Sequence, residues 1–284
     1  MYPGKLDGQV AIVTGGQGML GSGYVEALAK AGAKVAIFDI RKDDAPVIAR
    51  LKAEALVNVI SLVVDITNPV AVRKAFYDVG WRFGGGDNGK LNGVPNILVN
   101  NAGIDVPPHG TNKNAHPRFE NYQPEFFRDV LNSHLTGALV VAQEFVKHFR
   151  ATQKSDGSII NVSSIYGVVS PDQKVYDCYR EGGKEFYKPV SYTVAKAGMV
   201  GFTKWLVGYF AYEKLPIRAN TLVLGGVQIP DHDPEFLVEY KKHVPLGRMA
   251  RPGEYNEAVL FLASDASSYM TGSELVLDGG YTAR

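Results

Sequence analysis

Short apolar runs separated by longer amphipathic stretches recur along the whole of this 284-residue chain, and that alternation constrains its fold more than any other feature. The runs fall at residues 10–14, 35–39, 59–64, 97–100, 158–162, 218–223 and 274–277. Strands this apolar are expected to be buried on both faces. Between them the spacing predicts helices over 20–31, 45–55, 69–79, 124–151, 192–213 and 253–263. Strands alternating with helices imply an α/β chain: a doubly wound parallel sheet of about seven strands, forming one domain over 1–284. Three stretches interrupt the rhythm. Residues 83–95 read as a Gly- and Asn-rich surface loop, and 105–122 and 169–191 as insertions on the substrate side.

The turn after the first run reads Thr14-Gly15-Gly16-Gln17-Gly18-Met19-Leu20-Gly21. Glycine is needed where a turn demands positive φ and where backbone must approach a pyrophosphate closely. The helix that follows offers free N–H groups and the positive end of its dipole. This Rossmann-type placement, between strand and helix, sets Gly15, Gln17, Gly18, Met19, Leu20 and Gly21 against a dinucleotide. Asp39 ends the second run, eighteen residues beyond Gly21, followed by Ile40. A carboxylate there hydrogen-bonds both ribose hydroxyls of NAD and repels a 2′-phosphate, so NAD is the expected cofactor. Arg41 points the other way, since an arginine nearby can hold a phosphate. Asp65 and Ile66 follow the third run, at the sheet edge where ligands bind. An ordinary strand-end turn is the plainer alternative for Asp39.

Further along lie Asn100-Asn101-Ala102-Gly103, Ser163-Ser164 and Tyr192-Thr193-Val194-Ala195-Lys196. Residues four apart share a helix face, so Tyr192 and Lys196 are neighbours. An ammonium beside a phenol favours the phenolate and is expected to lower the tyrosine pKa. Tyr192 then takes or gives the alcohol proton as hydride leaves or arrives. Ser164 is placed to hold the reacting oxygen, with Ser163 as the adjacent alternative on the opposite strand face.

These motifs, with the closing Leu277-Asp278-Gly279-Gly280, make a chain that resembles the short-chain dehydrogenase/reductase family from Gly8 almost to its end. The resemblance implies an oxidoreductase that moves hydride between a nicotinamide and a secondary alcohol or ketone. It implies catalytic roles for Ser164, Tyr192 and Lys196, with the tyrosine and lysine also against the cofactor. Asn101, Ala102 and Gly103 would line the adenosine side, and Gly225 and the Val227 backbone the nicotinamide. Four positions depart from the family pattern. Met19 replaces the middle glycine, and Leu224-Gly225 stands for the usual Pro-Gly. Ile229 replaces a threonine near the carboxamide. In Asn132-Ser133-His134-Leu135-Thr136-Gly137, His134 stands where a catalytic asparagine helps the lysine bind water. The resemblance further implies a homo-oligomer, dimer or tetramer, formed through the helices around 124–151 and 192–213.

Ser164 and Tyr192 are 28 residues apart, about twice the family's usual separation, and the extra length is the 169–191 insertion. Tethered between two catalytic residues, it is expected to border the substrate as a lid. It holds Asp172, Gln173, Lys174, Tyr176, Asp177, Tyr179, Arg180, Lys184 and Tyr187. Its tyrosines are expected to stack on sugar faces, and Arg180 or Lys184 to meet a phosphate or carboxylate. The stretches 163–173, 224–227 and 245–249 are similar to oxidoreductases of bacterial sugar modification, in flagellin glycosylation and nonulosonic acid synthesis. The expected substrate is a polar small molecule, a carbohydrate or sugar derivative. The alternatives are an acyl-thioester ketoreductase, an epimerase that keeps its NAD, and a non-catalytic NAD-sensing scaffold. Thirty basic against twenty-nine acidic residues give a net charge of +1, which points away from nucleic acid. No apolar run is long enough to span a bilayer, and the first residues lack the pattern of a signal peptide. Cys178 is the single cysteine, so no internal disulfide forms. A cytoplasmic protein without a metal site is expected.

Overall fold

The computed structural model describes residues 6–42, 46–54, 58–84, 93–105, 116–152, 154, 156–183 and 185–283. The apolar runs become seven strands: β1 (Val10–Thr14), β2 (Lys34–Asp39), β3 (Val59–Val63), β4 (Ile97–Asn100), β5 (Gly157–Ser164), β6 (Ile217–Leu224) and β7 (Glu274–Leu277). Every pairing is parallel, and the order is β3-β2-β1-β4-β5-β6-β7. The chain therefore reverses its direction of travel between β1 and β4, which opens a crevice beyond their carboxyl ends.

The described residues hold eight α-helices: α1 (Met19–Lys30), α2 (Pro46–Ala53), α3 (Pro69–Gly84), α4 (Pro124–Leu131), α5 (Gly137–Arg150), α6 (Val190–Tyr212), α7 (Pro234–Lys242) and α8 (Asn256–Ala263). Side chains alternate across each strand, so one chain feeds two cores. Ala11, Val13, Val35 and Ile37 pack with α1, α2 and α8, while Val10, Ile12, Ala36 and Phe38 pack with α3, α5 and α6. Burial on both faces holds for the five inner strands. It fails at the edges, where β3 leaves Val63 57% exposed and β7 is only partly covered.

Polar groups inside the sheet also position the helix that carries Tyr192. Asn100 on β4 donates to Asn161 on β5 at 2.8 Å, Asn161 to Thr203 on α6 at 2.9 Å, and Thr221 on β6 to Thr203 at 2.8 Å. Such a buried chain of hydrogen bonds fixes α6 against three strands in one register.

The expected helix over 124–151 is one helical run interrupted by a π-helical turn, Asn132–Thr136, between α4 and α5. Its extra residue per turn re-aims the side chains at the point where His134 lies. The short helix α7 is absent from the sequence-based expectation. Its start is locally encoded: Pro234 is its first residue, and the Asp233 carboxylate accepts from the Glu235 N–H at 2.7 Å. α8 begins three residues later than expected and α3 runs to Gly84. Parts of the two expected loops, 85–92 and 106–115, lie outside the described residues.

Candidate active site

The glycine turn is closed by direct backbone contact. Gly15 has φ +63°, and a Cβ there would stand 2.9 Å from the Ala102 Cα. A Cβ on Gly21 would overlap the Gly15 carbonyl. Asn101 clamps the same turn, donating to the carbonyls of Thr14 at 3.1 Å and Gly15 at 3.2 Å. The Thr14 hydroxyl in return accepts from the N–H groups of Asn101 and Ala102, both at 3.0 Å. α1 starts after Gly18 with no side-chain cap and no acidic residue in its first turn. Its first N–H groups therefore have no carboxylate competing for them, as a dinucleotide's diphosphate requires.

Asp39 is buried at the end of β2. Its carboxylate accepts from the Gln17 N–H at 3.0 Å, the Arg41 N–H at 3.1 Å, and the Arg41 guanidinium at 3.2 Å through both oxygens. Burial alone would raise its pKa. The Arg41 guanidinium and the backbone donors outweigh that and hold it below the usual carboxylate range. Arg41 thus sits on the group expected to meet the ribose. Asp65 lies at the cleft but turns to its own loop, accepting from the N–H and hydroxyl of Thr67 at 2.9 and 2.7 Å. Ile66 is buried under Gly137, where a Cβ would meet its Cδ1 at 2.5 Å. Met19, Leu20, Ile40 and Gly103 line the cleft, whose volume is about 830 Å³. Gly225 lines it too, with its carbonyl held by the Tyr255 hydroxyl at 3.0 Å. Val227 stands outside this lining and forms a parallel bridge with Ala250.

At the other end of the cleft the two serines part company. Ser163 is buried and donates to the Lys196 carbonyl at 2.7 Å, which ties β5 to α6. Ser164 faces the cleft beside Tyr192, and its hydroxyl accepts from the Tyr166 N–H at 3.3 Å. Lys196 lies one helical turn on from Tyr192, with its ammonium 5.7 Å from the ring centroid. It donates to the Val162 carbonyl at 3.1 Å. Burial lowers the Lys196 pKa to about 8; Asp105 opposes that shift and Lys188 adds to it. The expected depression of the Tyr192 pKa is not met. Burial raises it, the Asp105 charge raises it further, and only the Ser164 hydroxyl opposes them.

His134 sits in the π-helical turn, its ring edge-on to Tyr192 with centroids 6.1 Å apart. Nε2 lies 3.0 Å from the Ile104 carbonyl. A Cβ on Gly103 would overlap the imidazole, so glycine there is what admits the ring. Burial, followed by the Lys196 charge, pushes the His134 pKa down to about 3. The ring is therefore neutral. Because a carbonyl only accepts, the proton is assigned to Nε2, which leaves the Nδ1 lone pair open.

The insertion departs from expectation in its aromatic residues. Tyr176 and Tyr179 do not face the cleft; they are buried with Phe186 in a third apolar cluster that includes Tyr166, Phe236 and Tyr240. Residues Gln173–Gly183 form a 3-10 helix, and against α7 this short segment becomes ordered by turning its rings inward. Arg180 is likewise committed internally. It donates to the Phe186 carbonyl at 2.7 Å and the Gln173 carbonyl at 3.0 Å, pairs with Asp177, and lies 4.3 Å from the Tyr187 ring centroid. Lys184 lies outside the described residues. The residues that sequence reasoning missed are Lys188 and Asp105. The Lys188 ammonium reaches both Asp105 oxygens at 2.9 and 3.1 Å and stands 4.1 Å from the centroid of the Tyr192 ring. Separated by 83 positions, the two follow no local spacing rule.

A parallel sheet with a dinucleotide-type turn at one end of its crevice and serine, tyrosine and lysine at the other defines the class: a nicotinamide-dependent oxidoreductase acting on CH–OH groups. Comparison with known proteins gives the family. A family model described as enoyl-(acyl carrier protein) reductase, adh_short_C2, matches residues 17–282. The chain is 34% identical to the 3-alpha-(or 20-beta)-hydroxysteroid dehydrogenase of Mycobacterium tuberculosis, over 99% of this chain and 92% of that protein. It is similar to a gluconate 5-dehydrogenase from Burkholderia cenocepacia solved with NADP and tartrate, with TM-score 0.80, 26% identity and 99% and 97% coverage. It is also similar to a short-chain dehydrogenase from Leptospira borgpetersenii solved with NAD+, with TM-score 0.79, 30% identity and 97% and 93% coverage. The chain belongs to the short-chain dehydrogenase/reductase family. Among the described residues, no helix is long and apolar enough to cross a membrane, and no cluster of His, Cys, Asp or Glu is suited to a metal ion.

Proposed function

We propose that the protein is a cytoplasmic NAD-dependent dehydrogenase of a secondary alcohol on a carbohydrate or sugar derivative, of the kind used in bacterial sugar modification. The observation that carries the substrate reading is the set of polar side chains in the cleft lining, Asp105, Asp129, Asn132 and Ser133. An apolar substrate would strip water from these groups without replacing its hydrogen bonds, whereas a polyhydroxylated one replaces them. The NAD reading is supported by the Asp39 carboxylate, held as an anion where a 2′-phosphate would have to sit.

A nicotinamide held in this cleft would supply the hydride acceptor and, in its oxidised form, a positive charge beside Tyr192 and Lys196. Ser164 holds the carbinol oxygen, and Tyr192 accepts its proton as the carbonyl forms. The phenol must first lose its own proton, and burial opposes that loss. The ammonium groups of Lys188 and Lys196, 4.1 and 5.7 Å from the ring centroid, are the charges on this chain that favour it. The open Nδ1 of His134 is suited to accept from Lys196 or from a water between them, in the relay position. The protein is further proposed to form a homodimer or homotetramer. The outer face of α6 supports this, because Val194, Gly201, Trp205, Gly208 and Tyr212 share it and are exposed.

The test is a screen of sugars, sugar derivatives, steroid alcohols and long aliphatic alcohols with NAD+ and NADP+, followed by nicotinamide absorbance. Turnover of a sugar derivative with NAD+ is expected. A preference for steroid or long aliphatic alcohols would refute the carbohydrate assignment, and a preference for NADP+ would refute the role given to Asp39.

A further inference from the structure

Asp105 and Lys188 form an ion pair at the mouth of the catalytic cleft, and the two partners are unequally placed. Lys188 is largely enclosed, its side chain 12% exposed, while Asp105 is 50% exposed and faces the cleft. The backbone leading to Asp105 is held from two directions. The Ile104 N–H donates to the Ser133 hydroxyl at 3.3 Å, and the Ile104 carbonyl accepts from His134 at 3.0 Å. The π-helical turn thus fixes where the carboxylate is presented, and Lys188, itself over the Tyr192 ring, fixes its direction. Each carboxylate oxygen offers about two acceptor directions. Lys188 takes one on each, and among the described residues no other donor takes the remainder.

The geometry points to Asp105 as a specificity-determining residue that accepts a hydrogen bond from a hydroxyl next to the reacting carbinol, so that the substrate class is a vicinal diol. This rests on the carbohydrate reading above and narrows it. The chemistry around Asp105 favours a neutral hydroxyl over other groups. An anionic group set against Asp105 would be repelled by that carboxylate itself, and an apolar group would strip water from it without replacing its hydrogen bonds. A hydroxyl donor is also what a carboxylate binds more strongly than a neutral acceptor does.

The experiment compares kcat/KM for the preferred polyol with that for its analogue lacking the neighbouring hydroxyl, in the parent, Asp105→Asn, Asp105→Leu and Lys188→Met proteins. The parent is expected to favour the diol by on the order of tenfold or more. Asp105→Leu should erase most of that ratio. Asp105→Asn should reduce it less, since an amide carbonyl still accepts, and Lys188→Met should reduce it because the carboxylate loses its tether. NADH binding by fluorescence shows which variants are folded; should Asp105→Leu fail that check, Asp105→Asn decides. An unchanged ratio in the folded Asp105 variants of an enzyme that oxidises polyols would overturn the role of Asp105 alone. A parent that oxidises only monohydric alcohols would overturn the carbohydrate reading itself.

Discussion

At the scale of single residues, Tyr192 carries the largest expected effect. Phenylalanine keeps the ring, its edge-on contact with His134 and the face presented to Lys188, and removes only the group that exchanges a proton. Tyr192→Phe is therefore expected to lower kcat by about 10²–10⁴ while leaving NAD binding by fluorescence near the parent value. Near-parent turnover would remove Tyr192 from the chemistry. Lys196→Met should damage both quantities. His134 allows a test that needs no substrate. Its pKa in the fold is about 3 against an ordinary 6.5, because burial excludes the charged ring. Between those values the unfolded chain takes up a proton that the native protein refuses, so stability is full above the ordinary pKa and falls as the solution is acidified. From about pH 7 to about pH 5 this one group should remove about 2 kcal/mol. Denaturant unfolding of His134→Asn, compared with the parent, should show a shallower loss over that window; identical slopes would mean that the ring is protonated in the fold. For activity, His134→Asn should retain much of it and His134→Leu should lose it, and equal rates in all three would assign the residue to packing.

At the scale of elements, the 169–191 insertion holds itself by an aromatic cluster rather than by contact with a ligand. Phe186 lies 5.2 Å from Tyr179 and 5.4 Å from Tyr176, centroid to centroid, and stacks on His116 at 4.1 Å. Phe186→Ala should cost about 3–5 kcal/mol of packing where the segment is rigid, and loosening Lys188 should follow from it. Substrate kcat/KM is expected to fall further than NAD affinity does, as measured by steady-state kinetics and NADH fluorescence; equal losses would give the insertion a global folding role. The same element marks where sequence reading reaches its limit. β1, α1, β2 and the Tyr192–Lys196 helix are legible because each is set by local periodicity and by glycines whose need is steric. Strand alternation puts Ser163 and Ser164 on opposite faces, and the resemblance to the family is what selects Ser164. Tyr176, Tyr179 and Arg180 were misassigned as ligand contacts because composition states that a segment is aromatic and polar, not which way its side chains turn. Their direction is set by α7, a nine-residue helix that escaped notice although Asp233-Pro234 encodes its start. Lys188 and Asp105 were invisible for a plainer reason: their pairing exists only after two distant segments meet.

At the scale of the whole molecule, both ends of the cleft depend on the same sheet, since β1 and β2 present the glycine turn and Asp39 while β5 and α6 present Ser164, Tyr192 and Lys196. α6 also leaves large apolar side chains exposed on its outer face. Trp205 there is 62% exposed and stacks on Tyr209 with centroids 5.3 Å apart, and no atom lies within 4 Å of a Cβ placed on Gly201 or Gly208. Small residues on either side of a large aromatic let a second helix approach closely while the ring provides buried area. The inner face of the same helix is fixed to the sheet through Thr203 and Ser163, so a partner seated outside would press on the element that positions the catalytic pair. Trp205→Glu places a charge where association would strip its water. Light scattering is expected to show the parent as a dimer or tetramer and the variant as a smaller species. Activity per chain should fall in the variant and recover partly at high protein concentration, where mass action favours reassociation. A parent that is monomeric, or a variant of unchanged mass, would show that this face of α6 is not where copies of the chain meet.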